Sequence, residues 1–116
     1  MGIDDLRGRE LDAAVAQQLF GLEVEARTNT KTGEKDALCR QPGKQWVPVA
    51  FYSSTLSASI SVELELRTRG WKRTLPLVGA PGNVRVALVH TDGRTVEAIG
   101  PMNLAICWAA LKAVAQ

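Results

Sequence analysis

The segment at residues 104–114 constrains the fold of this chain more than any other part of the sequence. It reads LAICWAALKAV, in which Lys112 is the only charged residue. A helix that is apolar on almost every side is buried on more than one side, so we predict a largely buried helix over residues 102–115. A chain of 116 residues has few internal surfaces to cover such a helix. We therefore also expect a symmetric homo-oligomer, with Ile106, Ala109 and Ala113 lying toward a partner subunit or the sheet.

The composition is that of a globular protein without an extreme charge. Hydrophobic residues make up 46% of the chain, charged residues make up 22%, and the formal net charge is +2. We therefore expect one domain over residues 1–116, with neither nucleic acid nor a membrane as partner. No apolar run reaches the roughly 18 residues of a membrane-spanning helix. Asp4 and Asp5 stand where a secretory signal would carry bases, so we expect a cytoplasmic protein.

Local patterns predict the elements of the first half of the chain. Apolar residues recur at four-residue spacing from Leu11 to Leu19, which predicts a helix over residues 5–20. Gly21 follows as a stop signal. Residues 22–27 alternate between apolar and polar side chains, the pattern of a half-buried strand.

A polar stretch follows, and we expect it to be the longest loop of the protein. Residues 28–44 are rich in turn-forming residues, and long loops in compact domains are often functional or disordered. Residues 46–51 are again mostly apolar, and we expect them to face the core. Pro48 restricts any strand in that region to a sheet edge.

Two signals conflict over residues 56–66. Apolar and polar side chains alternate strictly there, which indicates a strand. As a helix, the segment would carry two opposite apolar groups, with Leu56, Ile60 and Leu64 on one face. The residues before it form a good helix start, and we predict a helix over residues 54–69.

The remaining signals indicate antiparallel strands. Residues 71–78 are one candidate strand, and residues 79–83 are a glycine- and proline-rich turn. Residues 84–90 are the clearest strand, and we expect them to pair with residues 94–99. The intervening Asp92-Gly93 predicts a type I′ turn, in which both central residues have positive φ.

Three short segments of this sequence carry a family resemblance. Residues 8–12 read GRELD, residues 52–54 read YSS, and residues 104–111 read LAICWAAL. They resemble segments of the phage ABA-sandwich domain family, small bacteriophage proteins related in pattern to NinX. The resemblance implies an α+β fold with a small antiparallel sheet flanked by helices, in an α/β/α sandwich-like arrangement. Trp108 stands where relatives carry a base, so any role of that base is lost here or replaced by stacking.

His90 is the only histidine, and it offers the clearest enzymatic alternative. It would need to form a nucleophilic pair with Cys39 or Cys107, whereas a structural histidine beside a hairpin turn is the reading we favour. We expect both cysteines to be free thiols. Zinc needs about four closely spaced ligands, which this chain does not supply, so we expect no metal and no cofactor.

The cluster most suggestive of ligand binding is a basic stretch around one tryptophan. Guanidinium groups suit phosphate or carboxylate, and an aromatic face suits a purine base or a cation. The alternative is a solvated helix end with the tryptophan in the core. The candidate binding residues are Arg67, Arg69, Trp71, Lys72, Arg73 and Tyr52.

The family resemblance brings no general biochemical activity to this chain. We expect a phage or prophage accessory protein without catalytic activity, located in the cytoplasm of the host cell, that binds a host-derived factor. A counter-defence protein that sequesters a nucleotide-like signal is the leading hypothesis. The alternatives are an inhibitor that binds a host defence protein directly, and a small enzyme that uses His90.

Overall fold

The computed structural model describes residues 2–28, 30–33, 35–74, 77–78 and 83–115. Helices and antiparallel sheets occupy separate stretches of the chain, which confirms the α+β class. The sheet is divided into two. Within the described ranges the helical elements are a 3-10 turn at Ile3–Asp5, α1 at Gly8–Gln18, α2 at Leu56–Thr68 and α3 at Met102–Val114.

The first sheet contains a strand that the sequence analysis missed. Its antiparallel order is β1-β2-β3, with β1 at Glu23–Thr28, β2 at Lys35–Arg40 and β3 at Val47–Pro48. The prediction of one long loop over residues 28–44 is therefore wrong, because β2 lies within it. The strand β2 pairs with β1 along its whole length and buries Ala37 and Cys39, and this pairing outweighs the low strand propensity of its charged residues. Pro48 lies in an edge strand, as predicted.

The second sheet is built around the central strand β6. Its members are β4 at Trp71–Arg73, β5 at Leu77–Val78, β6 at Val84–His90 and β7 at Thr95–Gly100. The strand β6 pairs with β4 and β5 on one side and with β7 on the other, always antiparallel. The predicted pairing of residues 84–90 with 94–99 is thereby confirmed. The predicted strand over residues 71–78 is two strands, and most of the predicted turn at 79–83 lies outside the described residues.

The turn between β6 and β7 differs from the predicted type I′. Among the described residues only glycines have positive φ, so Asp92 does not, whereas Gly93 has a φ of 96°. The Gly93 N–H donates to the His90 carbonyl at 2.9 Å, and the His90 N–H donates to the Arg94 carbonyl at 2.8 Å. This pattern fits a three-residue loop that ends in a left-handed glycine. The Asp92 carboxylate accepts the Arg94 backbone N–H at 3.0 Å, which favours the observed conformation over type I′.

The helix α2 confirms the helical prediction and explains the alternating sequence. Val62 and Leu66 are buried at 0% and 1% exposure, facing the core. Ser59 is also buried, and its hydroxyl hydrogen-bonds to the Asn103 side chain of α3 at 3.1 Å. Leu56, Ile60 and Leu64 are exposed, whereas Ala58 is partly buried against the core. The alternation therefore places apolar groups on two faces of one helix, and only one face is used for packing within the chain.

The helix α3 forms the centre of the core. It packs against α1, α2, β6, β7 and the 3-10 turn. Ile106, Ala109 and Ala113 are buried inside the chain itself, so the apolar sequence of α3 is accounted for without a second subunit. Among the described residues, no helix is both long and apolar enough to cross a membrane.

Arg9 and Asp12 join α1 to the first sheet and to the segment before α2. The Arg9 guanidinium pairs with Asp12 and with Asp36, each at 3.0 Å, and donates to the Val49 carbonyl at 2.7 Å. The buried Asp12 carboxylate also accepts the Ser53 backbone N–H at 2.8 Å. Two of the segments that carry the family resemblance therefore meet here, and this contact holds the fold together.

Candidate ligand-binding site

The structure forms a groove where the end of α2 meets the second sheet. We call it the basic groove. It has a volume of about 360 Å³. Its lining comes from the end of α2, from β4 and from the β6–β7 turn, and comprises Arg67, Gly70, Lys72, Arg73 and Thr91. Three of these five residues are cationic, and none is acidic.

The backbone of the groove is held by contacts between the end of α2 and the β6–β7 turn. The His90 Nε2 lies 2.9 Å from the Arg69 carbonyl, and the Thr91 N–H donates to the Gly70 carbonyl at 3.1 Å. Gly70 has a φ of +89°, and a Cβ added there would lie 2.9 Å from His90 Nε2. A residue without a side chain is therefore required at this wall, both for its backbone conformation and for the close approach.

The three cations of the groove are not equally available to a ligand. Arg67 and Lys72 are exposed, and within the described part of the chain neither side chain has a hydrogen-bond or ion-pair partner. Arg73 is partly buried and pairs with Glu63 at 3.2 Å. Two cations are therefore free to bind an anion, and the third is held in place by its own carboxylate.

Arg69, the fourth predicted base, lies outside the groove. Its guanidinium donates to the Leu19 carbonyl at 2.6 Å and to the Glu65 carboxylate at 3.3 Å. Leu19 is the residue that follows α1. Arg69, at the end of α2, therefore hydrogen-bonds to a backbone carbonyl at the end of α1. Basic side chains commonly bind the last carbonyls of a helix in this way.

The two predicted stacking residues are buried. Trp71 is 4% exposed, with the His90 ring against it at 5.0 Å between centroids and the Arg94 guanidinium 5.5 Å from its ring. Tyr52 is 7% exposed and stacks on Phe20 at 5.3 Å, and burial raises its pKa to about 12. Neither ring lines the groove, so stacking of a ligand on either one stays a prediction without a contact to support it.

The structure thus brings together three of the six predicted site residues and adds two that were not predicted. Arg67, Lys72 and Arg73 share the groove, and Gly70 and Thr91 complete it. Gly70 was identifiable in the sequence only as the stop signal of α2. Nothing in the sequence marked Thr91 beyond its place beside the Asp92-Gly93 turn.

Both ring nitrogens of His90 have partners within the fold. Because the Arg69 carbonyl can only accept, Nε2 carries the proton toward it. Nδ1 lies 3.1 Å from the Asp92 backbone nitrogen and 2.9 Å from the Asp92 carboxylate. The Asp92 carboxylate has a lowered pKa, mainly because it accepts the Arg94 backbone N–H. His90 therefore fastens the turn to the end of α2, which is a structural role.

The two cysteines have the properties of core residues. Both are free thiols and buried. Burial raises the pKa of Cys39, and burial together with the nearby Asp12 raises the pKa of Cys107 to about 12. A thiol with a raised pKa is a poor nucleophile near neutral pH, since the thiolate is the reactive form. The described residues contain no group of three or more His, Cys, Asp or Glu that could hold a metal ion.

Comparison with known proteins adds no relative to this picture. No model of a known protein family matches the sequence, and a search of curated proteins gives no significant match. The resemblance to the phage ABA-sandwich family stays a hypothesis.

Proposed function

We propose that this protein is a non-enzymatic binding protein that holds a small phosphate-bearing ligand, such as a nucleotide, in the basic groove. The observation that carries the proposal is the presence on one concave surface of two cations, Arg67 and Lys72, whose side chains have no partner among the described residues. A guanidinium can bind a phosphate through two parallel hydrogen bonds, and a lysine adds a mobile point charge.

The position of Lys72 argues against a simpler explanation of the charge. A cation in the last turn of a helix is favoured by the helix dipole, and this effect is sufficient to explain Arg67. Lys72 belongs to β4, however, and reaches the groove from a different element. Cations that converge from a helix and a strand on one concavity fit an anionic ligand better than they fit a solvated helix end.

The groove favours the phosphate part of a ligand over its base. Among the described residues, its lining contains no aromatic side chain, whereas it contains three cations and the hydroxyl of Thr91. Binding energy would therefore come mainly from charge-assisted hydrogen bonds to phosphate oxygens. We expect the affinity to fall as ionic strength rises, because exposed charges are screened by salt.

The biological role we propose follows the family resemblance. A phage or prophage accessory protein that binds a nucleotide-like signal in the host cytoplasm would act by sequestration, which requires a binding groove and no catalytic residues. An inhibitor that binds a host defence protein directly is the second candidate. The observation in its favour is the apolar outer face of α2, whose Leu56 is 63% exposed.

Calorimetric titration against inorganic phosphate and a panel of linear and cyclic nucleotides tests the proposal. The double variant Arg67→Ala with Lys72→Ala should weaken binding about a hundredfold or more, since each charge-assisted contact contributes roughly 1.5–3 kcal/mol. Its melting temperature should stay unchanged, because neither side chain has a hydrogen-bond or ion-pair partner among the residues that the structure describes. The double variant Lys44→Ala with Arg85→Ala removes the same charge outside the groove and should bind like the wild type.

Two results would count against this function. If no member of the panel binds the wild-type protein, the proposal of a nucleotide-like ligand falls and direct inhibition of a protein moves ahead of it. If a ligand binds but the Arg67 and Lys72 substitutions leave its affinity unchanged, the ligand occupies another site.

A further inference from the structure

The outer face of α2 carries a row of exposed apolar side chains that the fold leaves uncovered. Leu56, Ile60 and Leu64 are 63%, 46% and 55% exposed, and we call them the apolar stripe. They recur every four residues and therefore lie along one side of the helix. Nothing in the described part of the chain packs over them. Together they present on the order of 300 Å² of apolar surface, the size at which patches on a monomer are often functional.

We infer that the apolar stripe is the contact through which two copies of this chain form an antiparallel dimer. The first argument is the symmetry of the pattern. Reading Leu56, Ile60 and Leu64 in either direction gives leucine, isoleucine, leucine at equal spacing. A two-fold axis through Ile60 sets Leu56 of one copy against Leu64 of the other, so the surface is complementary to itself, as a two-fold interface requires.

The second argument is the size of the neighbouring side chains. Ser57 and Ser61 follow Leu56 and Ile60 in sequence, and both are exposed. Small side chains beside an apolar row allow two helices to approach at the short end of the usual 8–10 Å interaxial range. Ser57 and Ser61 leave one edge of the stripe free of long polar side chains, whereas Arg67 lies on the same face about two turns beyond Ile60.

The third argument is the distribution of charge along α2. Glu63 pairs with Arg73 at 3.2 Å and Glu65 with Arg69 at 3.3 Å, so both carboxylates are neutralised within their own chain. Arg67 lies seven residues from Ile60, about 10 Å along the helix. In an antiparallel pair the two Arg67 side chains are about 20 Å apart, beyond the Debye length in physiological salt. A parallel pair would instead bring them together, so charge selects the antiparallel arrangement.

The available area sets the strength of the dimer. Two stripes would bury on the order of 600 Å² of apolar surface, which corresponds to about 1,000 Å² in total at the usual polar share of an interface. This value lies near the lower limit for specific association. Interfaces of this size are typical of weak, reversible association, so we expect the dimer to dissociate on dilution.

Sedimentation velocity over a range of protein concentrations tests this inference. The wild type should shift from monomer toward dimer between about ten and several hundred micromolar. Ile60→Asp places two carboxylates at the two-fold axis and should keep the protein monomeric throughout. Ile99→Asp is the matched control, because Ile99 is 61% exposed on β7 and should leave the dimer intact. Melting curves of both variants establish that they fold.

Cysteine cross-linking tests the antiparallel arrangement. Under mild oxidation Ile60→Cys should form a disulfide-linked dimer by itself, because the two-fold axis sets it against its own copy. Leu56→Cys should form a linked dimer only when mixed with Leu64→Cys. Both native cysteines are buried and should not interfere.

Three outcomes would overturn the inference. The first is a wild-type protein that stays monomeric at every concentration. The second is a dimer that survives Ile60→Asp, since its interface would lie elsewhere. The third is efficient self-linking of Leu56→Cys, which would require a parallel arrangement. None of these outcomes bears on the basic groove.

Discussion

Removing the buried carboxylate of Asp12 should destabilise the protein more than any other single change to its ion pairs. Asp12 is 1% exposed and accepts from the Arg9 guanidinium and from the Ser53 backbone N–H. Breaking a buried ion pair from one side typically costs about 3–5 kcal/mol. Arg9 keeps Asp36 and the Val49 carbonyl as partners. Losing the Arg9–Asp12 ion pair should therefore cost less than that range, about 1–2 kcal/mol.

The Ser53 contact adds a second contribution that can be separated. Asp12→Ala leaves the Ser53 N–H without its acceptor, which adds about 1–3 kcal/mol to the loss of the ion pair. We therefore expect a total of about 2–5 kcal/mol for Asp12→Ala. Asp12→Asn keeps a carbonyl oxygen that can accept from Ser53, so it should lose only the ion-pair part.

Urea denaturation followed by far-ultraviolet circular dichroism measures both variants. A domain of this size has a total stability of about 5–15 kcal/mol, so a loss of this size remains measurable. Asp36→Asn is the control, because the Asp36 side chain is 59% exposed and pairs with the same arginine. The reasoning fails if Asp12→Ala costs no more than Asp36→Asn, or if Asp12→Asn and Asp12→Ala are equally destabilising.

Three further predictions concern the packing around α3. Ile106→Ala should cost about 2–5 kcal/mol in denaturant melts because the side chain is 3% exposed; a loss under about 1 kcal/mol would show that α3 is peripheral. Gly100→Ala would place a Cβ 2.6 Å from the Trp108 ring and should cost about 1–3 kcal/mol by overpacking; an unchanged melting temperature would mean that the ring can move aside. The raised pKa of Cys107 means that its stabilising effect is complete below the ordinary thiol pKa of 9.0 and is lost as pH rises toward about 12. Above pH 9.0 the melting temperature should therefore fall less in Cys107→Ala than in the wild type. An equally steep fall in the variant would mean that other groups cause it.

The elements predicted correctly from sequence are those specified by local signals. The helix at the end of the chain follows from a continuous apolar run, and the β6–β7 hairpin follows from alternation on both sides of Asp92-Gly93. The strand β2 was missed because its stabilisation is not local. Lys35, Asp36 and Arg40 give it a loop-like composition, and only pairing with β1 makes it a strand.

Only part of the candidate site was predicted correctly, because closeness in sequence does not determine which way a side chain points. Arg67 and Arg69 are two residues apart at the end of a helix, where such side chains point about 200° apart. One accordingly lines the groove while the other reaches the end of α1. Trp71 and Lys72 are neighbours in a strand and point to opposite faces, so the ring is buried while the amine is exposed. No such rule connects Tyr52 to this stretch.

The central claim is that the basic groove binds a phosphate-bearing ligand, and an NMR titration tests it most directly. Nitrogen–proton correlation spectra of the labelled protein would be recorded while ADP is added, with adenosine as the uncharged control. We expect saturable shifts at the amides of Gly70, Lys72, Arg73 and Thr91, which surround the groove, and none with adenosine. Spectra that ADP leaves unchanged, or shifts that cluster away from these four amides, would contradict it.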